Sequence, residues 1–259
     1  MTYKNESGFT LVELSIVLVI IGLLIGGILT GQTLIRKSEI KTIGTEFSFY
    51  QKAVTNFRDQ YLELPGDMSR ATQYWGAAAN CPGTTAQGTT DGTTCDGDGD
   101  GKIQWNGSSN EMFRLWQHLA NADLIEGVYQ GVTGPEDPNV DAVGGFNAPE
   151  SSFNNALWNI RYLGNFSGSA TAFPGNYGHF MELGGKRAGY PYAYILKPKE
   201  QYAIDVKLDD GRPGTGKLIV HLWDDCTNAA DSSAASALTA EYNLDLDEEL
   251  CSILFLDAF

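Results

Sequence analysis

The sequence predicts an α+β protein in which one long N-terminal helix packs on a small antiparallel β-sheet, with large irregular loops between the elements. Three observations lead to this fold class. An apolar run at residues 9–29 is followed by an amphipathic stripe that extends the same helix. Segments rich in glycine, asparagine and proline then fill the middle of the chain. Short aromatic and β-branched segments follow from residue 190.

The apolar run is long enough to cross a membrane. It contains a single charged side chain, Glu13. At about 1.5 Å per residue, its helix covers roughly 31 Å, which matches the hydrocarbon core of a bilayer. A secretory signal peptide has a shorter apolar region, about 7 to 15 residues, and a small-residue cleavage site after it. No such site follows at residues 30–37. A plain anchor leaves Glu13 unexplained, because an acid at that depth costs about 2.5 to 3.5 kcal/mol without a partner.

The start of this run carries a family resemblance. The segment GFTLVEL at residues 8–14 resembles the processing signature of type IV pilins and of the pseudopilins of type II secretion. The resemblance implies that a prepilin peptidase cleaves between Gly8 and Phe9 and that the new amino group of Phe9 is methylated. It also implies that Glu13 pairs with the Phe9 amino group of a neighbouring subunit. The motif covers only the first tenth of the chain, but its three residues stand at a fixed spacing before an unbroken apolar run.

The same resemblance suggests a division of the chain and a set of partners. The expected parts are a leader peptide (1–8), a transmembrane and assembly helix (9–30), an amphipathic helix (31–62) and a pilin-like globular domain (63–259). The implied partners are identical or homologous pilin subunits, the prepilin peptidase and an assembly platform in the inner membrane. The protein is expected in the bacterial inner membrane before assembly, and in a cell-surface pilus or periplasmic pseudopilus afterwards.

Beyond the membrane segment, apolar residues continue at alternating spacings of three and four, which predicts one apolar face of a helix. They are Ile40, Ile43, Phe47, Tyr50, Val54, Phe57 and Tyr61. No proline interrupts this pattern before Pro65, so the helix is predicted to run from Phe9 to about Leu62, roughly 80 Å. A sheet of the same chain is the favoured partner of this face, and a coiled-coil seam is the alternative.

Composition narrows the function classes. A formal net charge of −15 argues against a broad nucleic-acid-binding face. The cysteines form no C-x-x-C pair, which disfavours zinc, and an exported context predicts two disulfides. The cysteines are Cys81, Cys95, Cys226 and Cys251. Sequence proximity favours pairing Cys81 with Cys95 and Cys226 with Cys251, and the other two pairings stay open. The region 226–251 resembles the C-terminal disulfide-bounded region of many type IV pilins.

The segment DGDGDGKI at residues 96–103 is the candidate metal site. Three carboxylates at alternate positions, then a glycine and an aliphatic residue two positions later, match the start of an EF-hand calcium loop. The twelfth position, a bidentate glutamate in an EF-hand, is Gly107 here, so a larger loop at 96–111 is predicted and a solvated acidic turn is the alternative. The predicted ligands of a structural Ca²⁺ are Asp96, Asp98, Asp100, the backbone carbonyl of Lys102 and the carboxylate of Glu111.

The remaining elements are predicted to be short. Residues 67–107 read as an irregular loop, and the apolar end of the chain is expected to pack on the core. Strand signals at residues 202–208 and 217–223, with a turn-rich connector at 209–216 between them, predict an antiparallel hairpin. The predicted helices lie at 109–124 and around 152–158, and the predicted strands lie at 190–196, 202–208 and 217–223.

No catalytic constellation is recognisable, so the sequence predicts a protein that is not an enzyme. The three histidines, His118, His179 and His221, do not form an H-E-x-x-H motif, and no G-x-S-x-G elbow or phosphate-cradling loop is present. Within the filament class, the disulfide-bounded C-terminal region favours a pilus subunit for surface attachment or motility. A secretion pseudopilin is the alternative, and calcium is familiar in that class.

Overall fold

The computed structural model describes residues 10–81, 88–104, 110–137, 140–187, 189–222 and 225–259. The chain divides into two compact units, Met1–Lys41 and Thr42–Phe259. Helix α1, Leu11–Tyr61, contributes residues to both. The predicted α+β architecture is confirmed, because a long N-terminal helix is followed by an antiparallel sheet.

Within the larger unit, α1 buries the predicted apolar face. The spacing of three and four residues places these side chains on one side of the helix. The buried residues are Ile43, Tyr50, Ala53, Val54, Phe57 and Tyr61. Phe47 stacks on Phe255 of the sheet, with 4.0 Å between ring centroids. The stripe therefore packs on the chain's own sheet. The helix ends at Tyr61, where Leu62 adopts a positive φ of 63° and Pro65 follows.

The main sheet has five strands and is antiparallel throughout. In chain order, the strands in the described part of the chain are β1 Leu157–Tyr162, β2 Asn165–Phe166, β3 Gly175–Asn176, β4 His179–Arg187, β5 Tyr190–Ala193, β6 Leu218–Val220 and β7 Ile253–Phe255. The spatial order is β1-β4-β7-β6, with β5 also paired to β4, while β2 and β3 form a separate two-stranded ribbon. The end of the chain thus lies inside the sheet, in agreement with its apolar sequence.

The two faces of this sheet differ in chemistry, because successive side chains on a strand point to opposite sides. Trp158 and Phe255 lie on the face that packs against α1, and Trp158 contacts Tyr50 with 5.7 Å between ring centroids. Arg161 and Glu182 lie on the other face and form an ion pair at 3.1 Å.

Among the described residues, four short helices complete the fold: α2 Ala71–Trp75, α3 Glu111–Asn121, α4 Pro198–Leu208 and α5 Ala234–Thr239. The first of these lies within the predicted irregular loop. Helix α3 lies inside the predicted helix at 109–124. It packs tightly on the turn that follows α1, since a Cβ on Gly66 would lie 2.4 Å from the carbonyl oxygen of Glu111.

The predicted strand at 202–208 is wrong, because this segment belongs to α4. Pro198 occupies the first helical turn, and the Glu200 carboxylate accepts a hydrogen bond from the Lys197 backbone N–H at 3.0 Å. Both are helix-start signals that outweigh the local alternation. The predicted hairpin is therefore wrong as well, and β6 instead pairs with β7.

The predicted helix around 152–158 is also wrong. Asn154 and Asn155 adopt left-handed φ values of 51° and 50°, and strand β1 begins at Leu157. Strand β4, which has the most neighbours in the sheet, was not predicted from the sequence. Gly184 and Gly185 lie inside this strand and obscure its pattern.

Candidate functional site: the N-terminal helix and the acidic loop

The first part of α1 is apolar on all sides and exposed. Every large apolar side chain between residues 11 and 29 is 45% to 86% exposed. By length and composition, α1 is long and apolar enough to cross a membrane. Covering such a surface with lipid or another protein is favourable, because it removes apolar area from water.

Glu13 has a local role that the sequence analysis did not anticipate. Its Oε2 accepts hydrogen bonds from the backbone N–H and the hydroxyl of Thr10, at 2.8 and 2.7 Å. The Glu13 backbone N–H in turn donates to Thr10 Oγ1 at 3.3 Å. This is a capping box, which satisfies backbone donors at the start of a helix. The T-x-x-E pattern at residues 10–13 is the sequence signal for it. Gly8 and Phe9, the predicted cleavage and methylation residues, lie outside the described residues.

The acidic loop wraps around a carboxylate that the sequence analysis did not assign to it. Asp67 comes from the turn after α1, and its side chain is buried. Its carboxylate accepts hydrogen bonds from the backbone N–H groups of Gly99, Asp100 and Gly101, at 2.8, 3.1 and 2.9 Å. Gly97 passes so close to the Asp67 backbone that a Cβ there would lie 2.3 Å from its carbonyl carbon. The glycines of the loop therefore permit this close approach.

Three carboxylates converge beside this loop. Asp67, Asp98 and Glu111 each place an oxygen within 4.8 Å of the others. Burial, together with neighbouring acids and against the effect of backbone hydrogen bonds, raises the pKa of Glu111 to about 7 and that of Asp67 to about 6. Only Asp98 of the three is exposed. A group of oxygen ligands whose negative charges are crowded and partly desolvated is suited to a hard divalent cation.

The other predicted ligands have different contacts. Asp96 accepts hydrogen bonds from the backbone N–H and hydroxyl of Thr72, at 2.8 and 3.1 Å, and so it caps α2. Asp100 pairs with the Lys102 ammonium at 3.1 Å. The structure thus brings Asp98 and Glu111 together with Asp67 rather than with Asp96. Asp67 lies 29 residues before Asp96, so no local spacing rule could have found it.

A hydrogen bond of His118, on α3, connects this helix to the turn after α1. Its Nδ1 accepts a hydrogen bond from the Gly66 backbone N–H at 2.9 Å, so its Nε2 carries the proton and donates to Thr94 Oγ1 at 3.0 Å. Burial, followed by the charge of Arg114, lowers the pKa of His118 to about 3. The histidine is therefore neutral and structural, and it positions the segment that carries Asp67.

Two disulfides close loops in the globular unit. Cys81 pairs with Cys95, and Cys226 pairs with Cys251, with Cα–Cα distances of 5.5 and 5.2 Å. This is the pairing that sequence proximity favours. The first bridge closes the loop that precedes the acidic segment, and the second connects the C-terminal region to the start of β7.

A second acidic group is explained by turn structure. Asp209 accepts hydrogen bonds from the backbone N–H groups of Lys217 and Leu218, the latter at 2.8 Å, and Asp210 accepts from Thr215 Oγ1 at 2.6 Å. These contacts hold the connector between α4 and β6.

Comparison with known proteins gives one match. The family described as "Prokaryotic N-terminal methylation motif" matches residues 3–29. No curated protein and no solved structure matches the chain. The match coincides with the exposed apolar part of α1 and is consistent with a protein of the type IV pilin or pseudopilin class. The chain thus carries a prepilin-type N-terminal methylation motif, which includes the apolar start of a long helix.

Proposed function

We propose that this protein is a structural subunit of a type IV pilus-like filament. A prepilin peptidase removes residues 1–8, the apolar part of α1 anchors the subunit in the inner membrane, and the same segment then packs against other subunits. The observation that carries the proposal is the methylation motif at residues 3–29, which includes an apolar helix surface with no cover from its own chain among the described residues. Attachment or motility at the cell surface is the proposed use.

Glu13 is proposed to direct assembly. Within the described residues, one oxygen of its carboxylate, Oε2, accepts the hydrogen bonds of the capping box. A carboxylate has further acceptor sites on its second oxygen. In an apolar filament interior, an uncompensated carboxylate is costly, and a cationic amino terminus from the next subunit compensates it. Subunits that stack in register satisfy this requirement.

A structural Ca²⁺ is proposed as the second feature of the displayed domain. The ligands that fit best are Asp67, Asp98 and Glu111, because their oxygens already converge and two of them are buried. The ion would join the turn after α1, the acidic loop and the start of α3. Its role is to order these loops, not to catalyse a reaction. The prediction that the chain is not an enzyme agrees with the structural role of proteins that carry the methylation motif.

A pseudopilin that drives type II secretion is the second candidate function, since the methylation motif is common to both classes. The C-terminal disulfide, Cys226–Cys251, favours the pilus subunit. Deletion of the gene distinguishes the two. The proposal predicts that the deletion strain loses surface fibres in electron micrographs and keeps its normal set of secreted proteins. Intact fibres together with a secretion defect would replace it with the pseudopilin function. Deletion with neither effect would contradict both.

A further inference from the structure

A half-enclosed pocket of about 290 Å³ opens on the sheet face opposite α1. Strands β1, β4 and β5 form one side, and the segment that contains β2 and β3 forms the other. Six aromatic residues line it: Tyr162, Phe166, Tyr177, Phe180, Tyr190 and Tyr192. Pockets that bind small molecules begin at about 300 Å³. The size therefore suits a ligand with a single ring.

The rings form a nearly continuous lining that Arg161 completes. Tyr177 contacts Phe180 edge-on, with 5.7 Å between ring centroids. The Arg161 guanidinium lies between Phe180 and Tyr190, 4.9 and 5.2 Å from their centroids, and Tyr190 stacks on Tyr192 at 5.3 Å. Contacts on both sides hold the guanidinium plane in place. The pocket thus presents flat apolar surfaces next to a fixed hydrogen-bond donor.

A buried carboxylate behind the pocket positions its polar groups. Glu182 is fully buried and pairs with Arg161 Nη2 at 3.1 Å and His221 Nε2 at 2.6 Å, and both of these partners line the pocket. Burial alone would raise the pKa of Glu182, but Arg161 and His221 bring it below its ordinary value, so the carboxylate is ionised. Because a buried ion pair contributes little net stability, this arrangement is better explained by positioning than by fold stability.

We propose that this pocket binds one neutral pyranose sugar. The C–H faces of a pyranose are flat and apolar and match the ring walls, while its rim of hydroxyl groups both donates and accepts hydrogen bonds. The Arg161 guanidinium supplies donors, and the hydroxyls of Ser169 and Thr171 supply both donors and acceptors. A net charge of −15 disfavours an acidic sugar. A wholly apolar ligand, such as an apolar side chain of another protein, would form no hydrogen bonds with the polar groups of the pocket.

The inference does not depend on the filament assignment, because every residue it uses lies in the globular unit. It adds a ligand for the displayed domain that neither the methylation motif nor the acidic loop indicates. The class of ligand follows from the pocket's ring walls, size and charge.

Saturation-transfer NMR on the full chain tests the proposal, in a detergent whose headgroup contains no sugar. The probes are the methyl pyranosides of glucose, galactose and mannose, together with N-acetylglucosamine, at concentrations up to about 50 mM. At least one probe is expected to bind saturably. Tyr192→Ala and Phe166→Ala are each expected to weaken that binding by about tenfold. The matched control is Tyr202→Ala, an exposed tyrosine on α4 outside the pocket, which should leave binding unchanged.

The melting temperature of each variant shows that it is folded, and either folded pocket variant suffices for the comparison. Absence of saturable binding by every probe would overturn the proposal. Equal binding by wild type and a folded pocket variant would do the same, because the sugar would then bind elsewhere. Preferential binding of N-acetylneuraminic acid over all neutral probes would contradict the assignment of a neutral ligand.

Discussion

Helix α1 contains two apolar segments that obtain their cover in different ways. Residues 11–29 are apolar on all sides and their large apolar side chains are 45% to 86% exposed, whereas between residues 43 and 61 one face is apolar and that face is buried. The second segment is covered by the sheet of its own chain. The first has no such cover among the described residues, so lipid or other subunits must shield its apolar surface from water. The apolar pattern therefore distinguishes two parts of one helix: residues 11–29, which we propose take part in assembly, and residues 43–61, which pack within the globular unit.

Glu13 gives the largest expected effect, because the two roles of its carboxylate can be separated. Glu13→Gln keeps an acceptor for the capping box but removes the charge, while Glu13→Ala removes both. If the charge pairs subunits, both variants should be processed and inserted but should form few or no fibres. Counting fibres by electron microscopy, with subunit levels from immunoblots, measures this.

Normal fibre numbers in Glu13→Gln, with few fibres in Glu13→Ala, would assign the residue to helix capping alone. Thr10→Ala is a useful control, because it removes the reciprocal hydroxyl contact and leaves the charge. The pairing hypothesis expects that variant to assemble.

Two isoleucines on α1 test the comparison of the segments directly. Ile43 is 0% exposed and Ile28 is 58% exposed. Ile43→Ala should lower the free energy of unfolding of the globular unit by about 2 to 5 kcal/mol, because it leaves a cavity. Ile28→Ala should leave that unfolding unchanged and reduce fibre yield. Near-ultraviolet circular dichroism during heating reports the first quantity. An equal loss of stability in both variants would mean that the two segments do not differ in this way.

The acidic loop should respond to calcium through Asp67 rather than Asp96. A chelator is expected to lower the melting temperature of the wild-type protein, since a ligand held at 100 times its Kd stabilises by about 2.7 kcal/mol. Asp67→Asn should abolish the response. Asp96→Asn should keep it, because that carboxylate caps α2. Differential scanning calorimetry with and without chelator compares the three proteins. A response lost in Asp96→Asn and kept in Asp67→Asn would restore the sequence-based ligand set.

His118 should give the smallest effect, a change in the pH dependence of stability. It packs on Phe57 in the buried half of α1. Its pKa is about 3 in the folded protein, while a histidine in an unfolded chain titrates near about 6.5. The unfolded chain therefore binds a proton that the folded protein does not, and stability falls as the pH drops from about 6.5 towards 3.

His118→Gln should be less stable at neutral pH but should show a shallower fall of stability in acid. Urea unfolding at a series of pH values between 4 and 7 measures the slope. An unchanged slope would show that His118 does not contribute to the acid sensitivity.

Elements whose sequence pattern is long and local were predicted best. Both halves of α1, its end before Pro65 and the helix α3 follow from apolar periodicity and breaker residues. The strand predicted at 202–208 failed because a short alternation competes with helix-start signals that lie just before it. Strand β4 was missed because its glycines carry no periodicity, and its place in the sheet comes from partners that are distant in sequence.

The candidate sites show the same limit. Asp98 and Glu111 were predicted as ligands from one segment. Asp67 joins them only through tertiary structure, because the hydrogen bond from the Gly66 backbone N–H to His118 holds its turn against α3. The pocket on the opposite sheet face is likewise assembled from several strands. Arg161 and His221, which are distant in sequence, both pair with Glu182 there. No spacing rule connects residues that the sheet brings together.

The central claim is that the apolar start of this chain becomes a processed assembly segment. Mass spectrometry of the subunit's N-terminal peptide, taken from fibres isolated from native cells, tests it most directly. The account predicts a mature chain that starts at Phe9 with a methylated amino group. A subunit that retains residues 1–8, or that is cleaved after the apolar run, would contradict the account.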